Sequence, residues 1–196
     1  AIDLDQATGV ALDHCVDDLT HLSDSPARCR QLAGSVYLAF NGMDRDPRQV
    51  LASMIEGWQS GRFVMYPNLP GWQGLPWSFL LTPGWRELSG KPLADIVAAQ
   101  WDTATRVLLD DLQALGRDEW TAVDHDAFLA EPQATVERLG AWAGWGWDRD
   151  LGGVLPLSRY TLSTPAPDKW RKHASDIEPR LAAIQATVDR AMRAAG

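Results

Sequence analysis

The chain has 196 residues, of which 45% are hydrophobic and 22% are charged; this composition indicates one folded domain over residues 1–196. Its formal net charge of −8 argues against broad nucleic-acid binding, and no apolar run reaches the roughly 20 residues of a membrane span. The acidic start also lacks the positive flank of a signal peptide. We therefore expect a cytoplasmic protein that binds neither nucleic acid nor membranes.

The first 34 residues form a divergent acidic segment. Residues 1–27 contain six Asp and no Lys or Arg, and their apolar residues recur at roughly helical spacing, which predicts one helix or two short ones. A shared helix face would carry His14, Asp17, Asp18 and His21. Such a face is able to hold zinc, but zinc sites usually take ligands from separate elements. We expect an acidic solvated face here and no metal site.

Two short segments have the composition of strands. "SVYLAF" (35–40) and "WTAVDH" (120–125) concentrate the β-branched and aromatic residues that favour extended structure. Between them, residues 66–92 hold five of the twelve prolines and three of the ten tryptophans. Proline excludes a long helix there, whereas the aromatic content argues against disorder. We predict an ordered loop with apolar anchors.

Helix signals occupy much of the remaining chain. Asp46 and Pro47 have the chemistry of a helix N-terminus, and apolar residues step by three and four over about 93–115. Pro132 opens a further helix. The last is predicted from Ser175, whose spacing to Glu178 is that of a capping box. The order of elements predicts a helix-rich α/β domain with few strands.

Two basic motifs are candidate anion sites. In "MDRDPRQVLAS" (43–53), a helix N-terminus would stabilise an anion, and Arg45 or Arg48 would add a two-pronged contact. In "PDKWRKH" (167–173), three cations flank Trp170, which would stack on a base or anchor the segment. Each motif has a simpler interpretation as a solvated surface, so the alternatives stay open.

Two further groups are candidates for catalysis and substrate binding. His125 and Asp126 lie at the end of the predicted second strand, where a histidine beside a carboxylate is suited to general base chemistry, although a structural histidine is an equal alternative. Aromatic residues dense enough to line a small-molecule pocket surround the proline-rich loop. Tryptophans are more often core residues, and both interpretations stay open for Tyr66, Trp72, Trp77 and Trp85.

In this order, the segments over about residues 35–180 resemble the C-terminal portion of a bacterial sulfotransferase that uses 3′-phosphoadenosine 5′-phosphosulfate (PAPS). "GWQGLPWSFLLTPGW" resembles the family's aromatic loop near the acceptor. "RDPRQVLASM" and "LSTPAPDKWRKH" resemble the segments that bind the donor's 3′-phosphate. The resemblance implies a truncated or rearranged P-loop-type domain, with donor-binding roles for Arg45, Ser53, Lys169, Arg171 and Lys172. Arg48 is a further candidate for donor binding from the chemistry of the anion motif alone.

The chain departs from this family in its N-terminal segment, in a later motif, and in the extra length of "AFNGMD" (39–44) before the first basic motif. The N-terminal phosphosulfate loop has no counterpart in residues 1–34, and the family's Tyr-Glu-Asp motif corresponds to His125, Asp126 and Ala127. Because that loop holds the transferred group, we expect PAPS or its product PAP to bind only if a second protein chain supplies it. The sequence thus predicts a hetero-oligomer.

Three functions remain open at this stage. The first is a sulfotransferase-like subunit that handles a sulfated small molecule or sulfuryl donor in specialised metabolism, as in natural product biosynthesis. The second is a sulfate-eliminating, ring-closing enzyme, with His125 or Asp126 as base. The third is a non-catalytic subunit that stabilises an enzyme partner.

Overall fold

The computed structural model of the chain describes residues 46–144, 146–151, 155–156, 162 and 166–195. The predicted helical segment 1–34, the predicted strand 35–40 and Arg45 lie outside the described residues. The same holds for the histidines and aspartates considered as zinc ligands and for the side chain of His125.

Helices dominate the described part of the chain, and its sheet has two short antiparallel strands. This confirms a helix-rich fold with few strands. The α-helices are α1 (Pro47–Ser60), α2 (Leu93–Ala114), α3 (His125–Ala130), α4 (Pro132–Ala143) and α5 (Ala174–Ala195). The strands are β1 (Val64–Tyr66) and β2 (Trp77–Ser78), and 3₁₀ helices span Trp85–Leu88 and Lys169–His173.

The local signals at the start of α1 act as predicted. The Asp46 side chain accepts a hydrogen bond from the Arg48 backbone N–H at 2.9 Å, and Pro47 is the first helical residue. Gly61 ends the helix with a φ of 67°, which a side chain would oppose. The helices predicted over 93–115 and from Pro132 are also confirmed.

The strand predicted at 120–125 is wrong. Trp120 is buried against the ends of α2 and α5, and residues 121–124 lead directly into α3. The Asp124 carboxylate accepts a hydrogen bond from the Ala127 N–H at 2.5 Å, so it caps a helix. Burial of one tryptophan and this cap outweigh the β propensity of the segment.

The predicted capping box of the last helix is also wrong. The 3₁₀ helix Lys169–His173 runs directly into α5, which begins at Ala174. Ser175 therefore lies inside the helix and does not cap it. Pro179 lies within α5 beyond its first turn.

The core lies between α1, α2 and α5. Successive ion pairs and hydrogen bonds join residues that rise in number together along α2 and α5, so these two helices run parallel. They are Arg180 with Asp95 at 2.7 Å, Thr187 with Asp102 at 2.5 Å, and Arg190 with Asp110 at 2.6 Å. Heptad spacing places Ile177, Ile184 and Ala191 in the buried seam. α1 packs against both helices.

Candidate functional site

The two basic motifs of the sequence lie in contact. The 3₁₀ helix Lys169–His173, called the basic turn below, packs on α1. The Gln49 side-chain amide donates a hydrogen bond to the Pro167 carbonyl, a contact between residues 118 positions apart. The Arg48 guanidinium carbon lies 4.5 Å from the centre of the Trp170 ring. The fold thus joins the N-terminal half of α1 to the segment that precedes α5.

The Glu56 carboxylate of α1 contacts three side chains of the basic turn. The Lys169 ammonium nitrogen lies 3.0 Å from Glu56 Oε2, and the Lys172 ammonium contacts Oε1. His173 Nε2 lies 3.8 Å from the same Oε1. The Glu56 side chain is only 11% exposed, so its charge is largely removed from water and depends on these partners. These four residues are called the Glu56 cluster.

The Asp46 carboxylate forms an ion pair with Arg48. The Arg48 Nε and Nη2 groups donate to the two Asp46 oxygens at 2.9 and 2.7 Å. This hydrogen bond lowers the pKa of Asp46 and raises the pKa of Arg48. The same carboxylate caps α1. The N-terminus of α1, predicted to attract an external anion, therefore has an anion of its own chain.

Arg171 is the most available cation of the site. Its guanidinium carbon lies 5.6 Å from the centre of the Trp170 ring, its side chain is exposed, and no carboxylate of the described chain pairs with it. The Lys172 side chain is 49% exposed, so it is open to solvent although its ammonium group contacts Glu56. Ser53 is exposed on α1 and makes no hydrogen bond to a described residue. The open side of the site is therefore formed by Arg171 and Lys172.

The aromatic residues divide into core and surface groups. Trp58, Trp77 and Trp85 are buried and pack at ring-centre distances of 5.3 to 6.3 Å. Trp72 is partly buried, lies 4.9 Å from the Trp77 ring centre and lines an open depression of about 410 Å³. Tyr66 is 42% exposed on β1. Of the predicted substrate-binding residues, Trp72 and Tyr66 thus reach the surface, whereas Trp77 and Trp85 stabilise the core.

The candidate catalytic pair lies on a different element. His125 and Asp126 are in the first turn of α3, where Asp126 is exposed, and α3 packs on α4. The Glu56 cluster is built from α1 and the basic turn. The structure therefore brings together Arg48, Lys169, Arg171 and Lys172, and it places the candidate base on another helix.

Several residues of the site were missed from the sequence. Gln49 and Glu56 are seven positions apart, so both lie on the face of α1 that meets the basic turn. Glu56 could have been predicted as a site residue, because it is a carboxylate on the same helix face as a candidate cation. His173 carries no permanent charge, so the cationic pattern of the motif does not single it out.

No model of a protein family matches the chain, and neither a curated protein nor a solved structure matches it. In the part of the chain that the structure describes, no three His, Cys, Asp or Glu side chains are placed to hold a metal ion. None of the described helices combines the length and apolarity needed to cross a membrane.

Proposed function

We propose that this chain is a sulfotransferase-like subunit that binds the phosphate or sulfate group of a small molecule between α1 and the basic turn. The observation that carries the proposal is the convergence of Arg48, Lys169, Arg171 and Lys172 from two distant segments. Guanidinium and ammonium groups are the donors that proteins use for such oxyanions. The sequence resemblance to PAPS-dependent enzymes supports the same ligand class.

The arrangement around Trp170 supports a ligand with a flat ring. The indole is 8% exposed and has Arg48 and Arg171 near its ring. Cation–π contacts hold both guanidinium groups where a phosphate oxygen beside the ring would meet them. We favour a nucleotide phosphate over a free inorganic anion, because its base would stack on the exposed Arg171 guanidinium, whereas the Trp170 ring itself is buried.

A second chain is part of the proposal. An anion site positions a ligand and neutralises its charge, but it does not supply the loop that holds a transferred group. No such loop is recognised in this sequence. Native mass spectrometry of the protein purified from its source tests this part. A second protein chain in fixed stoichiometry supports it, and a lone chain that transfers sulfate without a partner contradicts it.

Isothermal titration calorimetry tests the anion site. The cations expected to bind the donor's 3′-phosphate lie together within this chain. In contrast to the expectation from the sequence, we therefore expect the chain alone to bind adenosine 3′,5′-bisphosphate (PAP), which lacks the sulfuryl group that the missing loop would hold. Arg171→Gln and Lys172→Gln should each weaken binding about tenfold, the typical effect of losing one charge-assisted hydrogen bond. Phenyl sulfate, titrated in parallel, distinguishes a sulfate ligand from a nucleotide phosphate. Arg86→Gln is the matched control, because Arg86 is also exposed and lies 4.4 Å from a tryptophan ring centre. Absence of binding for both ligands would contradict the proposal.

The ion pairs favour one other candidate function. Asp46 and Glu56 already pair with Arg48, Lys169 and Lys172, which is the arrangement expected of a non-catalytic subunit that uses these cations for stability. The same titration separates the two functions. A stabilising subunit binds neither ligand, and its melting temperature falls in Lys172→Gln because the pair with Glu56 is lost.

A further inference from the structure

The Glu56 cluster has the geometry of an anion site that is already filled. Lys169 and Lys172 are three positions apart in a 3₁₀ helix, whose three residues per turn place such side chains directly above one another. Their ammonium groups therefore converge on one point, and the Glu56 carboxylate occupies it. His173 adds an imidazole at 3.8 Å. Two cations and an imidazole from one short segment thus surround a single anion.

That anion comes from the protein itself. A carboxylate and a phosphate or sulfate oxygen accept hydrogen bonds from the same ammonium donors, so they compete for them. The two lysines differ in access, since the Lys169 side chain is 19% exposed and that of Lys172 is 49% exposed. An incoming anion would meet Lys172 first, with Arg171 beside it on the exposed side of the turn.

We infer that Glu56 is a built-in competitor that sets the affinity of this site for phosphate and sulfate groups. The inference rests on the proposed function, because it concerns the same anion site. Ligand binding displaces the Glu56 carboxylate from Lys172, while Lys169 retains it. Breaking this internal pair offsets part of the binding free energy. The wild-type site therefore binds anions with lower affinity than the same cations would without Glu56.

Calorimetry with inorganic phosphate tests the inference on the full chain. Glu56→Gln keeps the size of the side chain and removes its charge, and we expect it to bind phosphate about tenfold more tightly than wild type, the effect of removing one charge a few ångströms away near the surface. Glu137→Gln is the matched control, because Glu137 is exposed on α4 and bonds only to Gln133 in the described chain. Its affinity should equal that of wild type.

If Glu56→Gln does not fold, Glu56→Asp provides the test. The shorter side chain keeps the charge but reaches the lysines less well, so we expect phosphate binding two- to threefold tighter than wild type. Equal or weaker binding by a folded Glu56 variant, or no phosphate binding by any of the proteins, overturns the inference.

Different results would contradict the proposed function and the inference about Glu56. If wild type binds adenosine 3′,5′-bisphosphate but Glu56→Gln gains no affinity for phosphate, only the inference is lost. If Glu56→Gln gains phosphate affinity while wild type binds neither the nucleotide nor phenyl sulfate, the proposed function is lost and the competitor role of Glu56 stands.

Discussion

Gln100 of α2 forms hydrogen bonds to α1 and to the β-hairpin, which consists of β1, β2 and the loop between them. It is 1% exposed, accepts a hydrogen bond from Trp58 Nε1 at 3.0 Å, and donates to the carbonyls of Ser78 and Leu80 at 2.9 and 2.7 Å. One amide thus satisfies a donor and two acceptors that are removed from water. Buried polar groups are costly when such partners are lost.

Gln100→Ala should therefore destabilise the protein by about 3 kcal/mol, because it leaves these groups without partners and opens a cavity. Urea unfolding followed by circular dichroism measures the change. Gln185→Ala is the control, since Gln185 is exposed on α5 and bonds only to Asp189 in the described chain; we expect less than about 0.5 kcal/mol there. Equal effects of the two substitutions would contradict the role of Gln100.

Asp46 gives the protein a pH dependence whose sign follows from its lowered pKa. Its hydrogen bond to Arg48 lowers the pKa below the ordinary aspartate value, so its contribution to stability is fully present above about pH 4 and is lost as the pH falls through the lowered pKa. Asp46→Asn keeps a capping side chain and removes the charge. We expect a loss below about 1 kcal/mol at pH 7, because the pair is partly exposed.

Urea unfolding of both proteins at pH 7, 4 and 3 tests this prediction. The difference between wild type and Asp46→Asn should narrow below about pH 4. Asp111→Asn, at an exposed position of α2, corrects for the loss of one surface carboxylate. A difference that grows on acidification would contradict the assigned pairing.

At the scale of elements, α1 and the β-hairpin meet at a glycine. A Cβ at Gly57 would overlap Phe79 Cζ and lie 3.3 Å from Phe63 Cδ2. The Phe63 and Phe79 rings stack at 5.0 Å, so moving the Phe79 ring away from a Cβ at residue 57 would disturb this stacked pair. The close approach explains a glycine inside a helix, where alanine has the higher helix propensity.

Gly57→Ala should destabilise the protein by about 1–3 kcal/mol through overpacking, against its favourable helix propensity. The sign should change in a Phe79→Ala background, where the overlap is gone and the added methyl group stabilises α1 by up to about 1 kcal/mol. Thermal unfolding of the four proteins of this cycle provides the test. Destabilisation of equal size in both backgrounds would show that the Phe79 ring is not the cause.

Element prediction succeeded where the signals are local. Asp46 and Pro47 mark the start of α1 by cap chemistry alone, and α2 follows from its apolar spacing. The sequence failed at 120–125, because the burial of Trp120 by the ends of α2 and α5 depends on tertiary structure. The helix start at Asp124 was nevertheless predictable, because aspartate is a common N-cap residue. The hairpin of β1 and β2 was not predicted, since its strands of three and two residues are too short to show alternation.

At the scale of the whole molecule, the site depends on packing between distant segments. The cationic character of Arg48, Lys169, Arg171 and Lys172 was predictable from the sequence, and their proximity was expected only from the family resemblance. The pairing of Lys169 and Lys172 with Glu56 was not predictable, because it requires the relative rotation of α1 and the basic turn. Under the proposed function, that pairing reduces the positive charge available to a ligand.

The central claim, one anion site between α1 and the basic turn, is tested most directly by an NMR titration with adenosine 3′,5′-bisphosphate. The indole N–H signal of Trp170, assigned through Trp170→Phe, reports on the site because Arg48 and Arg171 both lie near its ring. We predict saturable shifts of this signal and of the backbone amides of Lys169–His173, while the Trp142 indole, exposed on α4, stays unchanged. If the Trp170 and basic-turn signals do not move at saturating nucleotide, or if the shifts occur only elsewhere, the claim is contradicted.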